Sequence, residues 1–435
     1  MKEIKEKFFM YVSLNIMGMM AVSCYILADT FFVSKALGEL GLASLNFSIS
    51  IFSIMQGIGL MIGIGGATYY SINKEKYNKS NTAFTHSLVI GICASAMFII
   101  VAIFFSEPLS RLLGADESTL SFTKTYLMTI LSFSPFFIFN NILLAFVRND
   151  NNPKLSMIAM IFSSLSNIIL DYIFMFIFSM GIFGAAFATA ISPIISLGIL
   201  SIHFIRKRNT FYIIKEKISI KKIKKILNLG TSSLIIELTS AISLIVFNLI
   251  ILGIEGNTGV AAYGIVANIS LIATAIFVGI GQGIQPLASE YYGKANKLYL
   301  NKILYYSILT TIIFSGLIYI FIYFFTNEII YIFNSDNNKL LILASNGMKI
   351  YFLGYIFAGI NIVSAALFSS VSNSKQGMII SILRSCFFLI PLVFIFSTLF
   401  KMNGVWFSFV ITEILVFIID IIFLGVIKNK WAKFN

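Results

Sequence analysis

The chain has 435 residues, of which 58% are hydrophobic and only 11% charged, with a formal net charge of +13. A soluble globular domain carries roughly 25% charged residues, so this composition excludes a water-soluble enzyme and instead supplies about twelve bilayer-spanning helices of ~20 residues each. The positive excess would point to nucleic acid in a soluble domain, but here it is spread over short segments between apolar runs, where it sets membrane orientation.

Apolar segments are predicted near 8–34, 42–72, 84–105, 122–147, 155–178 and 184–205, then near 229–252, 259–291, 303–325, 345–370, 378–398 and 404–427. They are numbered spans 1 to 12. The run behind Lys2, Lys5 and Lys7 is too long for a signal peptide and lacks a small-residue cleavage pattern. With the N-terminus inside, 24 Lys and Arg fall on inner segments and six on outer ones, while Arg384 lies within a span and needs an acidic or carbonyl partner. Because cytoplasmic loops carry the basic excess, both termini are expected in the cytoplasm of a multi-pass cell-membrane protein. Nine basic residues crowd into 206–225, read as a cytoplasmic linker between an N-lobe (1–205) and a C-lobe (226–435). That linker is either a short basic amphipathic helix on lipid headgroups or a solvated connector.

The halves resemble each other. Gly59-Leu-Met-Ile-Gly63 matches Gly279-Ile-Gly-Gln-Gly283 at an offset of 220, and Gly184-Ala-Ala matches Gly404-Val-Trp at the same offset. Six spans per repeat make this a parallel duplication about an axis along the membrane normal. Gly279-Ile-Gly-Gln-Gly is not a dinucleotide loop, which needs a strand before it; glycines four apart inside a span permit close helix contact. Cys24, Cys93 and Cys386 stand singly in apolar runs and read as packing residues. His86 and His203 have no motif partner, and no metal site is expected from them.

Acidic residues inside spans cost at least ~2.5–3.5 kcal/mol and mark function. Asp29 lies ~30 Å along span 1 and Asp171 ~24 Å up span 5, both in the outer half at 1.5 Å per residue. Asn167 is one turn below Asp171 on the same face, and Thr189 lies in the outer half of span 6. Two carboxylates, an amide and a hydroxyl are hard oxygen donors suited to a small cation, and two carboxylates that repel can share a proton instead. Glu237 falls near the inner end of span 7, and Glu413 and Asp420 share a face of span 12.

These residues resemble the multidrug and toxic compound extrusion (MATE) family over essentially the whole chain. The resemblance rests on Leu27-Ala-Asp29-Thr-Phe-Phe-Val, Asn167-Ile-Ile-Leu-Asp171-Tyr, Gly181-Ile-Phe-Gly-Ala-Ala-Phe-Ala-Thr189, Gly259-Val-Ala-Ala-Tyr-Gly264 and Gly279-Ile-Gly-Gln-Gly-Ile-Gln-Pro-Leu-Ala-Ser-Glu-Tyr-Tyr-Gly293. It implies an all-α polytopic membrane protein with twelve transmembrane helices in two six-helix lobes related by pseudo-two-fold symmetry. It also implies no enzyme activity and no cofactor, but export of organic, often cationic, compounds in exchange for Na⁺ or H⁺. The family's cation site corresponds to Asp29, Asn167, Asp171 and Thr189, the four that depth groups; Glu237, Asn140, Asn141 and Gln285 are candidates for a C-lobe or substrate-cavity role. Three features depart from the family: span 1 has no proline, leaving Gly18 as its soft point, span 7 reads Gly230-Thr-Ser-Ser, and span 10 has no acidic residue to partner Glu237. The expected partners are small organic cations and the lipid bilayer, not nucleic acid, with the protein acting as a monomer. The alternative is a lipid-linked oligosaccharide flippase of similar architecture, disfavoured because it would need cationic residues in its cavity and Arg384 alone lies clearly within a span.

Overall fold

A computed structural model describes residues 2–75, 77–333 and 338–434. Its helices are α1 (Lys2–Ile72), α2 (Tyr77–Leu112), α3 (Leu120–Ser132), α4 (Ser134–Asn149), α5 (Pro153–Tyr172), α6 (Gly181–Ile205), α7 (Ile220–Gly293), α8 (Lys297–Phe333), α9 (Asn338–Tyr351), α10 (Tyr355–Ser370), α11 (Ser374–Ile382) and α12 (Leu389–Trp431). Lys76 and the Lys79 side chain, two of the cations assigned to inner segments, lie outside the described residues.

The two longest helices are hairpins, not rods. α1 breaks at Gly38 (φ 62°) and α7 at Gly256 (φ 64°), left-handed positions that glycine adopts without a Cβ penalty. α12 breaks in the same manner at Lys401 (φ 50°). The arms on either side of these breaks are spans 1 and 2, 7 and 8, and the end of 11 with 12. Counted this way, the helices of the described residues that are long and apolar enough to cross a membrane give the twelve predicted spans. Span 4 differs from its prediction: α3 and α4 meet at a 49° bend. Pro135, in the first turn of α4, has no N–H for the preceding helix and its ring crowds the carbonyl four residues back.

Two apolar cores form, one per half, but each borrows from the other. Ile4, Phe8, Tyr11, Val12 and Ile16 of span 1 belong to the core built by spans 7 to 12. Conversely, Ile226 and Leu229 of span 7 pack into the core of spans 2 to 6. The inner arms of spans 1 and 7 therefore cross between lobes in a reciprocal exchange, as a two-fold repeat requires, and the lobe boundaries drawn at 205 and 226 follow connectivity more closely than packing. Gly18 is not a bend. Span 1 is continuous there, and a Cβ at Gly18 would meet Met160 Sδ of α5 at 2.9 Å, so glycine permits a close approach. The three cysteines are free and at least partly exposed, with Cys24 and Cys93 fully on the surface and not packed in a core.

The 206–225 segment between α6 and α7 is mostly exposed, and its last residues from Ile220 already belong to α7, but it is anchored to the N-lobe along its length. It runs as irregular chain from 208 to 219 along α2, whose side chains Asn81, Thr85 and His86 accept from the backbone N–H groups of Tyr212 (2.9 Å), Ile214 (3.1 Å) and Ser219 (3.0 Å). Phe211 is fully buried, packed on Phe84, Phe146 and Phe204 and stacked on His203. Asp150, in the turn between α4 and α5, holds the segment. Its Oδ2 accepts from His203 Nε2 at 3.0 Å and from the Thr210 N–H at 2.7 Å, and its Oδ1 accepts from Tyr70 Oη at 2.9 Å and from the Thr210 hydroxyl. The other ring nitrogen, His203 Nδ1, lies 3.2 Å from Asn152 Nδ2, so the imidazole is held from both sides.

Burial pushes the Asp150 carboxyl up, but the hydrogen bonds from His203, Thr210 and Tyr70 more than offset it and hold the group below the usual carboxylate range. Its stabilising contribution is thus complete above the unfolded value of about 3.9 and disappears only as pH falls through the lower folded value. Phe211→Ala is expected to cost about 3–5 kcal/mol and Asp150→Asn to release the same segment. Limited trypsin digestion checks both: cleavage at Lys215 and Lys217 accelerates in either variant, while in the wild type it stays slow from pH 8 to pH 5.

Candidate functional site

The N-lobe cluster is built on the α5–α6 hairpin. Asn167 and Asp171 lie one turn apart on α5 and Thr189 faces them from α6; all three are buried. With its amide nitrogen toward Asp171, Asn167 donates to Asp171 Oδ2 at 3.1 Å, and its oxygen accepts from the Thr189 N–H at 3.3 Å and hydroxyl at 3.2 Å. A π turn (Ile173–Ile177) follows Asp171 directly, the kind of local widening that recurs at functional sites. Asp29, 7% exposed on span 1, lies close enough to Asp171 for their charges to interact, and Tyr25 and Tyr126 lie within the field of both carboxylates.

Asp29 Oδ1 and Asp171 Oδ1 are both buried without a hydrogen-bond partner among the described residues. An unpaired buried carboxylate is expensive. A cation between the two, or a proton on one, removes that cost, and Asn167 and Thr189 supply two further oxygens. The arrangement therefore fits a small cation or a proton, and these are the four residues that depth along the spans groups together.

The halves meet along a seam that is tightly packed at the end carrying both termini, the end expected to face inward. Cβ atoms on Gly279 and Gly283 of span 8 would lie 2.7 Å from the Cα atoms of Ile16 and Val12 of span 1. Gly65 of span 2 abuts Ile226 of span 7, and Gly293 abuts Ile72, just as tightly. The repeat-related pairs have diverged: Gly59 and Gly63 pack on Asn141 and Ile142 of their own lobe, and Gly57 and Gly65 face span 7 in their place. Polar bonds reinforce the seal. Arg148 donates to Asn15 Oδ1 at 3.0 Å and to Gln282 Oε1 at 2.7 Å, Asn149 donates to Gln285 Oε1 at 2.9 Å, and Gln285 donates to Thr68 Oγ1 at 2.9 Å.

This geometry reassigns the other candidates. Gln285, 2% exposed and two turns from the end of span 8, is hydrogen-bonded into the seal through Asn149 and Thr68. Asn141 donates to Gln56 Oε1 at 2.8 Å, while Asn140 Oδ1 is buried without a partner among the described residues. Glu237 is midway along span 7, not near its inner end, since that helix begins at Ile220; its Cβ faces Gly57 of span 2 across the seam. Arg148 is no loop cation: it sits in the last turn of α4, 2% exposed. Nothing in the sequence marks it beyond a basic residue at the edge of an apolar run.

In the C-lobe, Arg384 finds its partner on span 12. Its Nε and Nη2 donate to Glu413 Oε1 at 3.1 and 2.7 Å, and Asn361 of α10 donates to Glu413 Oε2 at 2.8 Å. Glu413 is thus fully committed to a structural ion pair. Asp420, two turns farther along the same face, is buried beside Ser364. Among the described residues no group of three or more His, Cys, Asp or Glu is placed to hold a metal ion.

A MatE family model matches residues 15–173 and again 233–395, one block in each half. The multidrug export protein MepA of Staphylococcus saprophyticus is 28% identical over 379 residues, covering 86% of this chain and 82% of that protein. MepA of Staphylococcus aureus is 26% identical over 415 residues, covering 94% and 90%. Among solved structures, an outward-facing multidrug resistance MATE family transporter of the MOP superfamily matches with a TM-score of 0.93 at 21% identity, over 99% of this chain and 97% of that one. A MOP superfamily transporter from Pyrococcus furiosus, described as having a binding pocket of reverse polarity, matches with a TM-score of 0.91, also at 21% identity and over the same shares of the two chains.

Breaking the C-lobe pair from one side leaves a buried charge. Glu413→Gln should destabilise the protein by about 3–5 kcal/mol, whereas the double change Arg384→Met with Glu413→Leu should recover most of that loss, as measured by thermal unfolding in detergent. At the seal, Arg148→Gln should loosen the inner seam, so that a cysteine placed at Thr68 reacts faster with an impermeant maleimide added from the inner side.

Proposed function

The chain belongs to the MatE family, and on that premise we propose that it is a cation-coupled exporter that carries organic cations across the cell membrane by alternating access. The observation that carries this reading is the pair of unpartnered buried oxygens, Asp29 Oδ1 and Asp171 Oδ1, beside Asn167 and Thr189. A sodium ion or a proton entering from the outer side neutralises the pair and draws span 1 toward α5 and α6. The inner half of span 1 is held at the same time by Gly279 and Gly283 of span 8. One helix therefore feels both the ion and the seam, and a ligand shifts an equilibrium by its difference in affinity for the two states. Cation entry favours the arrangement sealed at the inner end, which releases substrate outward.

Glu237, facing the seam from the C-lobe, is the carboxylate we assign to the substrate's positive charge. The multidrug export named for the MepA relatives supports a broad substrate range of this kind. Orientation follows the basic excess, sharpened by pairing: on the outer side Arg111 and Lys124 bind Glu107, Arg111 also binds Glu117, and Lys339 binds Glu255. Both termini and the 206–225 segment then face the cytoplasm. The flippase reading is weaker, because Arg384 is neutralised by Glu413 and Arg148 is spent in the seal.

The test is efflux of a fluorescent lipophilic cation from loaded cells, comparing wild type with Asp171→Asn at equal expression under an imposed sodium jump and, separately, a pH jump. We expect efflux to follow one of the two gradients and to fall about tenfold or more in the variant, equivalent to at least ~1.4 kcal/mol. Efflux that persists unchanged in Asp171→Asn would remove the cluster from the coupling mechanism.

A further inference from the structure

Among the described residues, two grooves of nearly equal size open on the outer surface of the C-lobe, one of them lined by charged side chains. Between the outer halves of spans 7 and 11, a groove of about 580 Å³ is lined by Val246, Leu249, Phe394 and their neighbours, with no ionisable side chain. Between the inner ends of spans 9 and 12, a groove of about 550 Å³ is lined by Lys297, Asn301, Tyr305, Leu309, Ile312 and Lys428 among others. Lys297 and Lys428, both exposed, stand at its inner mouth from two different helices, and neither is in an ion pair among the described residues. Lys297 also opens α8, which runs unbroken as far as a kink at Phe325, so the positive end of that helix dipole adds to the two ammonium charges.

The rest of the groove is a single apolar face. Asn301, Tyr305, Leu309 and Ile312 recur at the spacing of one helix face, with Tyr305 62% exposed and Leu309 and Ile312 at 41% and 48%. Beyond them Gly316 continues the stripe with open space where a Cβ would point, and Gly425, three residues before Lys428, has the same open space. From Lys297 to Ile312 the helix rises ~22 Å at 1.5 Å per residue. One leaflet, headgroup included, is half of a bilayer ~40–45 Å thick, so the groove has the length of one lipid with its charged end at the inner surface. A polar-ended, amphipathic tyrosine a short way in matches the depth of the interface.

We propose that this groove binds an acidic phospholipid of the inner leaflet, with its phosphate between Lys297 and Lys428 and one acyl chain along Tyr305, Leu309 and Ile312. The outer groove, nearly equal in volume but uncharged, accepts acyl chains without selecting a headgroup. The site is independent of the transport reading, since it lies on the lipid-facing side of the C-lobe, away from the seam.

The test uses the full-length purified protein and three probes: a phosphatidylglycerol, a phosphatidylcholine with identical chains, and inorganic phosphate. Native mass spectrometry counts lipid retained, and thermal unfolding in detergent reads the stabilisation. The wild type should retain phosphatidylglycerol in preference to phosphatidylcholine, be stabilised by it, and ignore inorganic phosphate. Lys297→Gln with Lys428→Gln should weaken phosphatidylglycerol retention about 30-fold, about fivefold for each lysine at a membrane surface. Arginine at both positions should restore it. Lys215→Gln with Lys217→Gln, which removes the same charge from the 206–225 segment, should leave it unchanged. Equal retention by the Lys297/Lys428 variant and the wild type, an equal loss in the Lys215/Lys217 control, or stabilisation by inorganic phosphate alone would each overturn the proposal.

Discussion

Inside a bilayer no water is available to satisfy a polar group, so every charge within the spans must find its partner in the protein. The rest of the structure depends on how that demand is met. Arg384 and Glu413 meet it with each other and with Asn361, across three helices of the C-lobe. Arg148 meets it with neutral amides, Asn15 and Gln282, which hold a guanidinium by hydrogen bonds without cancelling its charge. At Asp29 and Asp171 it is met only in part: one oxygen of each carboxylate is left over. Asp420 also has both carboxylate oxygens buried without a partner among the described residues, so what sets Asp29 and Asp171 apart is that two carboxylates lie within each other's field beside the oxygens of Asn167 and Thr189, where an ion can supply the difference.

Close backbone approach does the mechanical part. Spans 1 and 7 cross from one lobe's core into the other's, and glycines on spans 2 and 8 give them room. Such contacts are van der Waals packing at short range, which a few tenths of an ångström disrupt. On the alternating-access reading proposed above, such short-range contacts would hold or release together, as a seam between two packed halves requires. The 148–150 stretch ties this seal to the rest of the end that carries both termini: Arg148 and Asn149 reach across the seam while Asp150 fastens the 206–225 segment to the N-lobe. Movement at the inner seam and the path of the connecting segment are therefore physically joined.

Much of this architecture is legible in the amino-acid sequence. Spans follow from apolar run length, the repeat from glycines at a fixed offset, and the N-lobe cluster from depth, because helical rise is constant and a one-turn spacing fixes a shared face. Elsewhere sequence reasoning fails for specific reasons. Span 4 looks unbroken because Pro135 sits within an apolar run whose hydropathy does not register a bend. Glu237 reads as too near the inner end because span 7 continues two turns beyond its apolar stretch, into the basic residues. The connecting segment looks solvated by its charge, yet Phe211 and its backbone bonds to Asn81, Thr85 and His86 pin it down. Arg148 passes for a loop cation because its burial depends on a partner more than 130 residues away.

The sequence by itself determined that this is a two-fold repeated bundle of membrane helices, and which four oxygen-bearing residues share a depth in its first half. Those properties are local or periodic: hydropathy, helical rise and internal repetition are carried by the chain one residue at a time. Only the tertiary structure decided which charges are cancelled and which are left open, that spans 1 and 7 exchange cores, and that Gly57 and Gly65, not Gly59 and Gly63, receive span 7. Those are properties of pairs far apart in the chain. Whether a buried charge is paired, or a glycine faces its own lobe or the other, depends on helix rotation and packing, which hydropathy and spacing do not encode.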